Sequence, residues 1–173
     1  MDIKKHITTL GFVPKNGTND IYHKTYVDYA IEIDFKKQNI NYGNSIIAES
    51  RTTQNFSQPE NFVVLECVDR LLMKGYKPQS IVLEKTWPSG HGTSGRLDIC
   101  VNREDGTPYM LIECKTYGKE YNKELAKIRK DGGQLFTYFQ LSGGKADVLM
   151  LYASELKGNK FVYVNEIIKI EDD

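Results

Sequence analysis

The sequence has few cysteines and no pairing pattern among them. Only three occur in 173 residues (Cys67, Cys100 and Cys114), and no two stand as Cys-x-x-Cys. Disulfide frameworks use cysteines in even numbers, and zinc sites use closely spaced pairs. The sequence therefore predicts three reduced, buried thiols and excludes a disulfide scaffold and a cysteine-based zinc site. His91, in a glycine-rich stretch, is typical of a loop residue and not of a metal ligand.

The sequence also lacks net charge, long apolar runs and a nucleotide-binding loop. Lys plus Arg and Asp plus Glu both number 23, so any nucleic-acid surface must be a local basic patch. No apolar run approaches the ~20 residues that span a membrane, and no signal-peptide core follows the first residues. We therefore expect a cytoplasmic protein with no membrane partner. No Gly-x-x-x-x-Gly-Lys-Ser/Thr loop is present, so this chain should hold no nucleotide site.

The pattern of apolar residues predicts two regions within a chain of single-domain length. We predict that residues 1–57 form an accessory segment packed on the core. It would contain a helix at 2–10, a hairpin of strands at 21–26 and 29–35, and a polar connector at 43–57. We predict that residues 58–173 form the core of the fold.

The core region predicts an α-β-β-β-α-β order followed by a terminal strand. Ser57 and Pro59 mark the start of the first helix, whose apolar positions, including Val64, Val68 and Leu71, fall on one stripe. The predicted elements are helices to about 74, at 120–130 and at 134–141, and strands at 80–85, 96–101, 109–115, 146–153 and 161–164. This order is typical of an α/β fold with a mixed sheet flanked by helices.

Two acidic residues and a lysine are predicted to meet on neighbouring strands. Asp98 lies within one predicted strand, and Glu113 and Lys115 lie within the next. Alternation places Glu113 and Lys115 on one face of the sheet and Cys114 on the other, and cross-strand pairing brings Asp98 beside them. Two adjacent carboxylates repel each other, and a divalent cation such as Mg²⁺ removes that repulsion. With a lysine to neutralise phosphate charge, the grouping favours phosphodiester hydrolysis.

These residues resemble the PD-(D/E)XK nuclease superfamily. Asp98, a 14-residue gap and Glu113-Cys114-Lys115 are similar to its central motif, Glu60 resembles its additional acid on the preceding helix, and Gln134 to Tyr138 resemble the Gln-x-x-x-Tyr motif of the RecB-like branch. Over about residues 58–153, the sequence resembles the N-terminal nuclease domain of the R subunit of type I restriction enzymes. The resemblance implies a restriction-endonuclease-like αβββαβ core with an N-terminal helix and β-hairpin extension.

The resemblance also implies a Mg²⁺-dependent endonuclease acting on double-stranded DNA, with Mn²⁺ able to substitute. Asp98, Glu113 and the backbone carbonyl of Cys114 would bind the metal, Lys115 would be the catalytic lysine, and Glu60, Gln134 and Tyr138 would complete the catalytic centre. A helicase-like motor in the same full-length subunit and separate specificity and methylation subunits would be its partners. Because these 173 residues contain no motor sequence, we expect a fragment or a reduced relative.

A row of lysines is a candidate DNA-binding surface. Lys119, Lys123 and Lys127 recur every four residues, so a helix would place them on one face, about 6 Å apart along its axis. Six basic and two acidic side chains lie within residues 115–130, a local excess that suits DNA phosphates. Arg96, just before Asp98, is a further candidate. Equally, the row could be a solvated helix face and Arg96 a salt-bridge partner.

Several assignments have rivals in the sequence. Glu66 lies on the same predicted helix as Glu60 but points away from the apolar stripe, and Glu84 is a further acid in the first core strand. Glu60 could simply stabilise a helix N-terminus, and Gln134 and Tyr138 could be an ordinary i,i+4 pair.

Two other functions stay open at the level of sequence. A nuclease-fold module that only binds DNA or docks partners has no need of Asp98, Glu113 and Lys115, so their presence counts against it. A stand-alone DNA-repair or Mrr-like nuclease would carry the same motifs, and the full length of the native gene would distinguish it.

Overall fold

A six-stranded mixed sheet forms the centre of the protein. The computed structural model describes residues 1–89, 92, 93 and 95–169, so His91 lies outside the described residues. The helices are α1 (Ile3–Thr9), α2 (Glu60–Met73), α3 (Lys119–Asp131) and α4 (Gly133–Leu141), with a 3₁₀ turn at Pro78–Ser80. The strands are β1 (Val13–Pro14), β2 (Ile21–Tyr26), β3 (Tyr29–Asp34), β4 (Asn39–Asn41), β5 (Ile47–Ala48), β6 (Ile81–Lys85), β7 (Pro88–Ser89), β8 (Gly92–Thr93), β9 (Leu97–Asn102), β10 (Pro108–Thr116), β11 (Val148–Lys157) and β12 (Lys160–Lys169).

The order of strands in this sheet is β12-β11-β10-β9-β6-β5. The pairs β10–β11 and β5–β6 are parallel, and the other three pairs are antiparallel. From α2 onward, the order of the main elements is the predicted α-β-β-β-α-β with a terminal strand, so the α/β class and the mixed sheet are confirmed. None of the described helices is long and apolar enough to cross a membrane.

Helices cover both faces of the sheet, because its strands are apolar on both sides. One face packs on α2 through residues such as Ile99, Ile112 and Cys114. The other packs on α3 and α4 through Leu111 and Leu151. All three cysteines are free and buried, as predicted.

Helix α2 is buried around most of its circumference: the predicted apolar positions, including Val64, Val68 and Leu71, are all buried, and burial extends beyond their stripe. Residues 61–69 are all buried, since the sheet covers one side and the N-terminal segment covers the other. The predicted cap at Ser57 is wrong: the N-cap position is Pro59, with no side-chain cap, and Ser57 bonds to Asn55 instead.

The N-terminal segment contains more strand than predicted. Strands β1 to β4 form a four-stranded antiparallel sheet, of which β2 and β3 are the predicted hairpin. The 43–57 stretch is not merely a connector, because β5 within it pairs in parallel with β6 of the main sheet. Strands of two or three residues are too short to show an alternating pattern. The boundary at 57/58 stays a prediction, and one hydrophobic cluster extends across it.

A buried ionic cluster joins the N-terminal sheet to α2. Lys24 Nζ lies 2.6 Å from both Asp69 Oδ1 and the Leu10 carbonyl oxygen. The Tyr26 hydroxyl donates to the same Asp69 oxygen at 2.6 Å. The Lys24 and Asp69 side chains are only 15% and 10% exposed, so removing one partner strands a desolvated charge.

Asp69→Ala is therefore expected to lower the free energy of unfolding by about 3 kcal/mol, because Lys24 and Tyr26 lose their shared acceptor. Urea denaturation measures the loss. Glu104→Ala, which breaks the exposed Lys77–Glu104 pair, is the control and should cost less than about 1 kcal/mol. Equal losses in the two variants would mean that the Asp69 cluster does not anchor the N-terminal segment.

Candidate active site

The antiparallel pairing of β9 with β10 brings the predicted acids together. Ile99 pairs with Ile112, which puts Asp98 next to Glu113 at the carboxyl end of β10. Asp98 Oδ2 accepts a hydrogen bond from the backbone N–H of Cys114 at 2.7 Å. The Asp98 carboxylate therefore replaces a rung of the ladder and is held against the neighbouring strand.

Lys115 lies between two acids at this end of the sheet. Its Nζ lies 2.7 Å from Glu113 Oε1 and 3.8 Å from Glu60 Oε1. Glu113 and Lys115 share one face, as alternation predicted, while Cys114 packs in the cluster on the α2 face. Glu60 reaches Lys115 because α2 begins at the same edge of the sheet.

Burial and mutual repulsion disfavour the charged forms of the two carboxylates. Glu113 is 4% exposed, and burial raises its pKa to about 7 despite the opposing effect of Lys115. Burial and then the charge of Glu113 raise the pKa of Asp98 well above its ordinary value, although the Cys114 N–H opposes the shift. Burial also raises the pKa of Glu60, with Lys115 opposing the shift.

Lys115 is held in its charged form. Burial alone would lower the pKa of Lys115, but the charge and hydrogen bond of Glu113, together with the charges of Glu60 and Asp98, raise it above its ordinary value. The ammonium group is therefore a permanent cation at neutral pH.

The carboxylates fit a hard divalent cation. Glu113 Oε2 is buried and has no hydrogen-bond partner among the described residues, and the adjacent Asp98 is the second donor. Within the described part of the chain, no three His, Cys, Asp or Glu side chains form a metal cluster. A cation here would thus have two carboxylate ligands, with backbone oxygen and water completing its shell. This sparse oxygen set suits Mg²⁺, which keeps several waters.

Tyr138 belongs to this group of residues, and Gln134 lies one helical turn away on the surface. Tyr138 is buried, and a Cβ at Gly95 would lie 2.5 Å from its hydroxyl oxygen; only glycine leaves room for the phenol there. Burial and the charges of Glu113 and Asp98 raise the pKa of Tyr138. The Trp87 ring centroid lies 6.0 Å from that of Tyr138. Gln134 is exposed on the first turn of α4.

Glu124 is an acid near the site that the sequence prediction missed. It is 3% exposed, its Oε1 has no hydrogen-bond partner in the described residues, and its charge contributes to the raised pKa of Glu113. Tyr121 and Ile128 are buried on the same side of α3. The spacing of Glu124 from Tyr121 and Ile128 matches the period of a helix, and it could have predicted that Glu124 lies on the buried side of α3.

The predicted lysine row does not carry three free charges. Lys119, Lys123 and Lys127 all lie on α3 and are exposed. Lys127 Nζ pairs with Glu124 Oε2 at 3.1 Å, however, so its charge is largely compensated. Lys119 and Lys123 have no ion-pair partner among the described residues.

The rival acids lie in other networks. Glu66 is buried, but it accepts hydrogen bonds from Arg70 at 2.7 Å and from the Tyr152 hydroxyl at 2.5 Å. Glu84 is enclosed by hydrogen bonds from Thr52 and Thr53. Of the three glutamates weighed for this role, Glu60 is the one beside Lys115.

Arg96 is exposed next to Asp98 and makes no ion pair with the described residues. Its guanidinium donates to Ser50 Oγ at 2.9 Å. This contact joins the residue that precedes β9, the strand of Asp98, to the loop after β5.

Comparison with known families assigns most of the chain. A family described as "Type I restriction enzyme R protein N terminus (HSDR_N)" matches residues 59–167. This range contains Glu60, Asp98, Glu113, Lys115 and Tyr138. Comparison with curated proteins gives no match.

The metal-free protein is expected to lose stability as Glu113 ionises. The pKa of Glu113 is about 7 in the folded chain, against an ordinary 4.5, so the folded state holds this proton more tightly than the unfolded state. The free energy of unfolding therefore falls as pH rises from about 4.5 to 7, on the order of 3 kcal/mol from this group. Urea unfolding in EDTA at pH 5 and pH 8 measures the difference.

Glu113→Gln, which does not ionise, should depend less on pH than the parent, because it loses the contribution of Glu113 and keeps that of Asp98, whose pKa is also raised. The exposed Glu155→Gln is the matched control and should keep the full pH dependence of the parent. If Glu113→Gln retained the full pH dependence of the parent, the raised pKa of Glu113 would be refuted.

Proposed function

This chain belongs to the type I restriction enzyme R protein N-terminal family, which matches its residues 59–167, and we propose that it is the Mg²⁺-dependent endonuclease domain of such a protein. It would hydrolyse phosphodiester bonds of double-stranded DNA. The observation that carries the proposal is the Lys115 ammonium, 2.7 Å from Glu113 and beside the Asp98 carboxylate on the next strand. A cation held between Glu113 and Glu60 is suited to a substrate that brings both a metal and a negative charge.

Asp98, Glu113 and the Cys114 carbonyl would hold the metal, and Mn²⁺ would substitute for Mg²⁺. When bound, the ion would activate a water and polarise the phosphate. The unpartnered Glu113 Oε2 supports this assignment, because a buried carboxylate oxygen without a donor is costly. Positive charge beside Asp98 and Glu113 would also remove their mutual repulsion.

The residues around the metal ligands would orient the substrate. Since the raised pKa of Lys115 keeps it protonated, it would act as a fixed cation against the phosphate and not as a general base. Glu60 and Glu113 hold its Nζ in place. Tyr138 would remain protonated and present a hydroxyl near the carboxylates, and Gln134 would contact DNA from the surface of α4.

The DNA duplex would extend from this edge over the start of α3. Lys119 and Lys123 are exposed and uncompensated in the described residues, so each can neutralise a phosphate. Lys127, paired with Glu124, would contribute less. Arg96 would contact a phosphate on the other side of Asp98.

Membership of the R protein family implies assembly with other restriction subunits and with DNA. We propose that the partners are a helicase-like motor in the same full-length subunit and the specificity and methylation subunits. Sequence selection would then lie outside this domain. The expected site of action is the cytoplasm, where such a complex would meet foreign DNA.

The first test is nicking of supercoiled plasmid in Mg²⁺ or Mn²⁺. Asp98→Ala and Lys115→Ala should each lower the rate at least about 100-fold, because one removes a metal ligand and the other the cation that faces the phosphate. The exposed Asp28→Ala and Lys145→Ala are matched charge controls and should cut at the parental rate. Circular dichroism confirms that all variants fold.

Cleavage that persists in Asp98→Ala and Lys115→Ala would refute the assigned centre. If neither the parent nor any variant cuts the plasmid, the same substitutions are tested in the full-length subunit with its partner subunits. Absence of cleavage by that complex would favour a module that only binds DNA or docks partners.

A second test measures metal binding without activity. Mn²⁺ at 100 times its Kd should stabilise the parent by about 2.7 kcal/mol, seen as a rise in Tm at pH 8. The rise should shrink at pH 5, because protons compete for Glu113 and Asp98, whose pKa values are raised. Asp98→Asn and Glu113→Gln should abolish it, and Asp28→Asn should not. A parental Tm unaffected by Mn²⁺ would contradict the metal site.

A further inference from the structure

The loop after β5 lies at the same edge of the sheet as the candidate active site. Strand β5 runs parallel to β6, and β6 runs antiparallel to β9. The carboxyl ends of β5 and β6 therefore meet the amino end of β9, where Asp98 lies. Pairing continues one residue beyond β5, since the Glu49 N–H donates to the Leu83 carbonyl at 3.1 Å. The next residues, Ser50 and Arg51, emerge at that edge.

Side-chain bonds hold this loop firmly against the sheet. Glu49 accepts hydrogen bonds from Lys85 Nζ and from the Thr86 N–H, both at 2.7 Å. Thr52 and Thr53 donate to the buried carboxylate of Glu84. A loop bonded at both ends presents the residues between them in a defined position, at little further entropic cost on binding.

Two arginines project from this fixed loop and from the position that precedes β9. Arg96 Nη1 donates to Ser50 Oγ, and Arg51 is exposed with no side-chain partner among the described residues. The acids next to the loop do not cancel these charges, because Glu49 is paired with Lys85 and Glu84 is 2% exposed beneath the threonines.

Arg51 also lines a cleft of about 540 Å³ whose other polar side chains are amides. Asn39, Asn41, Asn44 and Gln54 contribute to its walls. Amides and arginine are typical ligands for the phosphates and sugars of DNA, which they contact without reading sequence. An apolar partner surface would leave this combination of groups poorly matched.

We infer that the 49–54 loop of the N-terminal segment is a second phosphate-binding clamp, with Arg51 as its principal DNA contact, on the side of the catalytic edge opposite α3. The inference rests on the proposed nuclease function. Strand β5 lies three strands from β10, so Arg51 is about 14 Å across the sheet from Lys115 at ~4.8 Å per strand. That span corresponds to roughly four nucleotides of one strand along the duplex axis.

Binding of a 30-base-pair duplex in Ca²⁺, followed by fluorescence anisotropy, tests the clamp without cleavage. Arg51→Ala should weaken binding about five-fold at 0.15 M salt and lower the slope of log K against log salt by about one, the signature of one lost phosphate contact. Lys77→Ala is the control, because Lys77 is 76% exposed and lies before β6, at the opposite edge of the sheet. It should leave both values unchanged.

The outcomes separate this inference from the function on which it rests. If the parent binds and Arg51→Ala binds equally well, the clamp is refuted and the nuclease proposal stands. If Arg51→Ala and Lys77→Ala weaken binding equally, the effect is one of overall charge and the clamp is again refuted. If the parent does not bind the duplex at all, the clamp fails together with the proposed DNA-directed function. Unchanged Tm values in both variants establish that neither effect reflects unfolding.

Discussion

The repulsion between two partly or fully buried carboxylates is the constraint on which this edge of the sheet depends. Asp98 and Glu113 are brought together by the β9–β10 pairing, and neither can ionise cheaply next to the other. The structure offsets this cost with Lys115 and with the backbone N–H of Cys114. These contacts do not remove the cost completely, since Glu113 Oε2 has no hydrogen-bond partner among the described residues. A buried carboxylate oxygen without a donor is costly, and the proposed metal would remove that cost.

The N-terminal segment is part of the architecture that supports this edge. Because it covers the outer side of α2, that helix is buried around most of its circumference, and its first residue, Glu60, is held where it reaches Lys115. The same segment contributes β5 to the main sheet and, through Ser50, a contact to Arg96. Its removal would expose the apolar outer surface of α2 and leave Arg96 without its hydrogen-bond acceptor.

Prediction from sequence succeeded where the signal was local. The long elements, the β9–β10 hairpin and the shared face of Glu113 and Lys115 all follow from periodicity over a few residues. It failed for β4 and β5, which are too short to show a period, and for the burial of α2 beyond its apolar stripe, which depends on contacts with distant residues. Glu124 was missed because it was counted as part of a charged surface, although its spacing from Tyr121 and Ile128 places it on the buried side of α3.

The sequence by itself determined the αβββαβ order, the family and the set of acids and lysine that converge on two neighbouring strands. Strand alternation has a period of two, so the residue types at 98, 113 and 115 carry that information directly. Only the tertiary structure decided which glutamate of α2 reaches Lys115 and that Arg51 and Arg96 share one edge. Both depend on how separate elements pack, because the residues that become neighbours lie far apart along the chain.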